Sequence, residues 1–456
     1  MNNTNPRLVI GATSSGSGKT TITCGILCSL INRGLKVASF KCGPDYIDPM
    51  FHEEVLETPS NNLDSFFLDK ESLIRVFNEN AKEDISIIEG VMGYYDGITS
   101  TSFSSSTYEI ASILKANTIL IVNCKGMSQS IIALIKGFVE YVSDSRIKGI
   151  ILNNISKKVY DELKPKIEEL FNEIVVLGYV PKLDSSLLLE SRHLGLVTAK
   201  EILDIKDKIK RLSDVLEETI DFDKLLKIAS IEKLESKSLN INKIKDVRIG
   251  IARDKAFCFY YDSNIDLLKK LGAEIVYFSP LCDKSLPPNL DGLYFGGGYP
   301  ELYLEKLSNN TKILNDIKQI ITSGIPVIAE CGGFMYLNKA IDGYKMVGVF
   351  DSEVKNMNKL VRFGYVTLTA NENNLLLKPG EEIKGHEFHY YDSSDNGSSF
   401  SLRKTNGTIY QSVKASNNMY AGFPHLYFYS NINFAINFIN KCWEWKNKWL
   451  ILLQEK

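Results

Sequence analysis

The feature that most constrains this chain is a series of short apolar runs that do not alternate with polar residues. They are Arg7–Ala12, Val37–Lys41, Ile85–Glu89, Thr118–Asn123, Ile147–Asn153 and Ile174–Val180. Helical segments lie between several of them, at Lys19–Arg33, Ser128–Val142 and Tyr160–Phe171. A sheet with one wet face would alternate. Unbroken apolar strands joined by helices predict a parallel sheet covered on both faces. The stretch from about Leu225 to Asp246 then turns polar, rich in Lys, Glu, Ser and Asn. After it the pattern restarts: strands at Val247–Ala252, Glu274–Phe278, Leu293–Phe295 and Pro326–Ala329, and a helix at Asp262–Leu271. From about Met346 short strand and turn signals prevail. At 456 residues the chain is too long for one ordinary domain. The expectation is an α/β fold of two doubly wound domains, at residues 1–230 and 247–456, with a linker at 231–246.

The first strand runs into Gly11-Ala-Thr-Ser-Ser-Gly-Ser-Gly-Lys-Thr-Thr21, and a helix follows. A glycine loop between strand and helix turns backbone N–H groups toward phosphate oxygens, and the helix N-terminus adds positive potential. Ser15, Gly16, Ser17, Gly18, Lys19, Thr20 and Thr21 are therefore the candidate triphosphate site, with ATP the expected nucleotide. Lys19 would reach the terminal phosphates, and the Thr20 hydroxyl would ligate Mg²⁺. The spacing departs from the common phosphate loop, because Thr13 stands where that pattern has glycine. Two places offer carboxylates for the metal: Glu89, at the C-terminal end of its strand, and the loop Cys42-Gly-Pro-Asp45-Tyr-Ile-Asp48. Ligands of open α/β sheets bind at that edge.

A second site is written into Pro326-Val-Ile-Ala-Glu-Cys331-Gly-Gly333, a strand that enters a tight turn before a helix. Small neighbours let such an elbow expose a nucleophile, here Cys331. Leu293-Tyr-Phe-Gly-Gly297-Gly298 ends another strand, so the N–H groups of Gly297, Gly298 and Gly332 are candidates for an oxyanion hole. A cysteine nucleophile needs a base. The five histidines are His52, His193, His386, His389 and His425; geometry alone does not choose among them, and His425, which closes an apolar strand end, is the favoured base. His386 and His389, three apart on a strand, face opposite sides and are not expected to act as a pair.

The net charge of −2 and the scattered lysines and arginines exclude an electrostatic footprint for nucleic acid. No apolar run approaches the roughly 18–20 residues of a membrane span, and the N-terminus has no signal-peptide pattern. The eight cysteines show no paired metal spacing and read as reduced, cytoplasmic thiols.

These motifs together resemble the cobyrinate a,c-diamide synthases, over essentially the whole chain. They are Ser15-Gly-Ser-Gly-Lys-Thr20, Lys41-Cys-Gly-Pro-Asp-Tyr-Ile-Asp48, Glu89-Gly-Val-Met-Gly-Tyr-Tyr-Asp-Gly97, Arg192-His-Leu-Gly-Leu196, Gly296-Gly-Gly-Tyr-Pro-Glu-Leu302, Ala329-Glu-Cys-Gly-Gly-Phe-Met-Tyr-Leu337 and Gly385-His-Glu-Phe-His-Tyr390. The resemblance implies a dethiobiotin-synthetase-like phosphate-loop domain followed by a class I glutamine amidotransferase domain. It implies that Cys331 and His425 release ammonia from glutamine, and that ATP and Mg²⁺ activate acetate side chains of cobyrinic acid through an acyl phosphate. It places Thr20, Asp48 and Glu89 on the metal, and Asp45, Tyr46, Asp48, Arg192 and His193 near the nucleotide or corrinoid. Tyr427 departs from the wider amidotransferase pattern, where many members carry Glu two residues after the histidine. A sister enzyme acting on nickel sirohydrochlorin or hydrogenobyrinic acid would carry nearly the same motifs, and the resemblance is compatible with a homodimer. The reading from another class is a phosphate-loop ATPase with an inactive amidotransferase domain, which the intact Cys331 elbow argues against.

Overall fold

The computed structural model describes residues 5–187, 199–237 and 241–454. The chain forms two compact units that divide after residue 239.

The first unit is built on seven strands: β1 (Arg7–Ala12), β2 (Val37–Cys42), β3 (Ser60–Leu63), β4 (Ile85–Glu89), β5 (Asn117–Asn123), β6 (Ile147–Asn153) and β7 (Val175–Val180). Their order is β3-β2-β4-β1-β5-β6-β7, and every pairing is parallel. β1, β2 and β4 are buried along their whole length, as unalternating apolar runs require. β3 was not expected, because Ser-Asn-Asn-Leu carries little apolar signal; it pairs in register with β2. Helix α1 (Lys19–Asn32) follows β1 directly. It packs on the helix Ala199–Thr219 through Gly25, where a Cβ would fall 2.4 Å from Leu216. Residues 231–237 lie against this unit: Leu234 is buried, and Asn78 donates to the Leu234 carbonyl at 3.0 Å and to Ser236 Oγ at 3.0 Å.

The second unit has a six-stranded sheet. Its parallel strands are β8 (Val247–Ala252), β9 (Ala273–Phe278), β10 (Gly292–Phe295), β11 (Val327–Glu330) and Met419–Gly422; Lys414–Ser416 closes one edge antiparallel. Beside it stands a five-stranded antiparallel sheet in the order Ile409–Ser412, Phe400–Lys404, Arg362–Ala370, Glu382–His389, His425–Leu426. Among the described residues no helix is long and apolar enough to cross a membrane.

Candidate functional sites

In the first unit the chemistry gathers at the C-terminal ends of β1, β2 and β4. Gly16 and Gly18 take positive φ, +73° and +92°, so the loop turns where a side chain would be strained. Gly18 caps α1, and Asn153 at the end of β6 donates to the Ser17 carbonyl at 2.8 Å, bracing the loop from beneath. Lys19 donates to the Met92 carbonyl and lies 3.5 Å from that of Ser14. Burial, aided by the charge of Lys41, pushes its ammonium down to about 8.

Lys41 and Glu89 are register partners on adjacent strands, so their side chains emerge together. Lys41 Nζ lies 2.9 Å from Glu89 Oε1 and 2.5 Å from Asp48 Oδ2. Thr20 Oγ1 donates to Glu89 Oε1 at 2.6 Å. Burial opposes charge on Lys41, but Glu89 and Asp48 outweigh it and hold the group firmly as ammonium. Burial also works against ionised Asp48, and Lys41 overrides it, keeping that carboxyl below its usual range. Burial pushes Glu89 up to about 7, with Lys41 pulling the other way. Behind it sits His52, fully buried, neutral because burial drives it down to about 4, with Nδ1 2.6 Å from Ser39 Oγ and Nε2 3.6 Å from Glu89 Oε2. Glu89 Oε2 itself is buried and makes no hydrogen bond.

Thr20, Asp48 and Glu89 thus supply hard oxygen donors, of which Glu89 Oε2 is unused, and such donors suit Mg²⁺ shared with phosphate oxygens. Among the described residues no cluster of three or more His, Cys, Asp or Glu could hold a metal unaided. The two loop acids part company. Asp45 Oδ1 accepts the N–H groups of Ile47 and Asp48 at 2.8 and 3.2 Å, the work of a turn. Tyr46 is buried beside it. Arg192 and His193 lie outside the described residues. Lys41 joins the candidate residues here; sequence reasoning places it only within a motif and gives it no role, although a lysine ending an apolar strand is a signal in itself.

In the second unit Cys331 stands between β11 and the helix Gly332–Leu337 with φ +47° and ψ −106°. A residue with a Cβ pays strain to sit there, and such strain is typical of exposed nucleophiles. The elbow is held on both sides: Cys331 N–H donates to the Gly422 carbonyl at 2.8 Å, and Gly333 N–H to that of Gly296 at 2.9 Å. Burial raises the thiol well above its usual value, and Glu301 adds to the effect. His425 is buried and held well below its usual value by burial, then by His386 and His389.

The glycine loop touches both residues' surroundings. A Cβ on Gly297 would lie 2.3 Å from His425 Cε1, and a Cβ on Gly332 would lie 3.2 Å from Gly298 N. One expectation is corrected: Gly297 N–H donates to the Phe259 carbonyl at 3.2 Å and is spent, which leaves Gly298 and Gly332 as the candidate oxyanion donors. Gly297 is glycine to make room for His425. His386 and His389 do separate, as the strand period demands: His386 stacks on His425 and His389 on Phe423.

Sequence comparison decides the family. A cobyrinate a,c-diamide synthase of Caldanaerobacter subterraneus subsp. tengcongensis is 41% identical, with 95% of this chain and 98% of the relative covered. The chain belongs to the cobyrinate a,c-diamide synthase family. Relatives of the same name from Clostridium acetobutylicum and Priestia megaterium are 42% and 37% identical; 94% and 96% of this chain are covered, and 98% and 97% of those proteins. Residues 8–197 match the CobQ/CobB/MinD/ParA nucleotide binding domain, and residues 248–432 the CobB/CobQ-like glutamine amidotransferase domain. A family member of this build is a nucleotide-using, glutamine-dependent ligase that forms amides. The Lys19 and Cys331 sites fall one in each matched domain.

Proposed function

We propose that the chain converts the a and c acetate side chains of cobyrinic acid to amides, using ATP and Mg²⁺ with glutamine as nitrogen donor. One observation carries this reading: a chain related over nearly its full length to these synthases keeps both a phosphate loop backed by Lys41, Asp48 and Glu89 and a strained Cys331 elbow.

The first unit, on which residues 231–237 of the expected linker pack, would bind ATP, and the second unit would release ammonia. In the latter, Cys331 attacks the glutamine carboxamide while His425 takes the thiol proton. Both groups are neutral at rest, the thiol pushed up and the imidazole pushed down, so the proton moves as the C–S bond forms. Gly298 and Gly332 donate to the oxyanion, His425 returns the proton to the departing ammonia, and water releases glutamate from the thioester. In the nucleotide domain, Lys19 holds the terminal phosphates of ATP, and Thr20, Asp48 and Glu89 would hold Mg²⁺. The metal, when bound, offsets phosphate charge. Lys41 neutralises the two carboxylates and orients them. A side-chain carboxylate oxygen takes the γ-phosphoryl group and ADP leaves. Ammonia then attacks the acyl carbon and phosphate departs. The detour is needed because a carboxylate has no good leaving group.

The test is the nitrogen source. Cys331→Ala is expected to abolish amidation from glutamine and retain amidation from ammonium salts. Loss of both in a folded variant refutes the division of labour.

A further inference from the structure

The base His425 sits in a chain of rings that runs through the position where the wider amidotransferase pattern has its acid. His425 and His386 are direct register partners across two antiparallel strands, so their side chains share one face. Their rings stack with centroids 4.9 Å apart and planes 16° from parallel. Tyr261, itself buried, places its hydroxyl 3.0 Å from His386 Nδ1, which fixes the plane of that ring. Tyr427, two residues after His425, packs edge-on against Tyr261 at 5.0 Å. The residue in the acid's place therefore supports the ring that holds His386.

The main chain around His425 is fixed separately. Asn264 donates to the Leu426 carbonyl and accepts from Phe428 N–H, both at 2.8 Å, and Glu330 accepts from Leu426 N–H at 3.2 Å. These bonds set where the residue starts, not how its ring turns. The ring is bounded at its edge by Gly297 and on its face by His386. Burial keeps His386 neutral, pushed down to about 3, so it offers an uncharged π face to an imidazole that gains a proton during the reaction.

We propose that His386, held by Tyr261, is the positioning residue that sets the ring plane of His425 for proton transfer with Cys331. This rests on the reading of Cys331 and His425 as nucleophile and base. It requires that ring shape matter at position 386 more than titration.

The experiment compares His386→Ala, His386→Phe, Tyr261→Phe and His425→Ala in the full chain, reading glutaminase kcat, KM for glutamine and ammonium-dependent amidation. For His386→Ala the expected result is a fall of at least about tenfold in kcat, from the share a positioned base contributes, with KM and ammonium-dependent amidation unchanged. His386→Phe, which keeps a flat ring, should recover much of the loss, and Tyr261→Phe should fall between it and the parent. If His425→Ala is inactive as a glutaminase while His386→Ala keeps its kcat, the positioning role is refuted. A rise in KM alone refutes it as well. If His386→Ala loses ammonium-dependent amidation through misfolding, Tyr261→Phe decides, and an unchanged kcat there overturns the proposal. If His425→Ala stays active, the reading of the base fails instead.

Discussion

Gly297→Ala is the sharpest single perturbation of the glutaminase site. The new methyl would stand 2.3 Å from His425 Cε1 and 3.2 Å from both ring nitrogens, where ordinary contacts begin near 3.4 Å. The ring must therefore retreat by about 1 Å, and a shift of that size at a reacting group costs on the order of 100-fold in rate. That equals about 2.7 kcal/mol of transition-state stabilisation. The ring has little freedom to comply, since its face is stacked on His386. The backbone at 297 is not strained by alanine, because its φ is not in the positive range, and its N–H can still donate to Phe259. Folding stability should fall by about 1–3 kcal/mol from overpacking, read as a lower urea midpoint. The assay is ammonia release from glutamine, with ammonium-dependent amidation as internal control. A glutaminase kcat within about twofold of the parent would refute the claim that this glycine exists to admit His425.

Two further outcomes are expected. Lys19→Ala should abolish amide synthesis from either nitrogen source while glutamine hydrolysis partly survives; normal synthesis in that variant removes the phosphate loop from the reaction. Glu330 should make stability fall with rising pH. Burial lifts its carboxyl from 4.5 to about 8, so between those values the native chain keeps a proton that the unfolded chain has released. Glu330→Gln should gain stability over the parent progressively from pH 5 to pH 8, measured by urea midpoints, and a constant difference across that range contradicts the assignment.

Much of this was legible in the sequence because it depends on local pattern. Unalternating apolar runs gave β1, β2 and β4, and Gly18-Lys19-Thr20 after a strand announced the phosphate loop. What stayed hidden depends on register between distant strands. Lys41 meets Glu89 only because β2 pairs with β4. His386 meets His425 only because Glu382–His389 pairs with a strand of two residues some forty positions later. Gly297 looked like an oxyanion donor on spacing alone; its N–H is consumed by Phe259, a partner that no spacing rule supplies. β3 was missed because its stability comes from pairing with β2, not from its own polar side chains. The roles of Asp45 and Asp48, three apart in one loop, separate only once Lys41 is in place between Asp48 and Glu89.

The central claim is that one chain moves nitrogen from glutamine to two carboxylates of a corrinoid at the cost of ATP. Its most direct test is incubation with cobyrinic acid, ATP, Mg²⁺ and glutamine labelled with ¹⁵N at the side-chain amide, read by mass spectrometry. The account predicts a product carrying two labelled amides, with ADP and phosphate formed alongside. Cobyrinic acid returned unlabelled, while another tetrapyrrole acid in the same panel takes up the label, would contradict it.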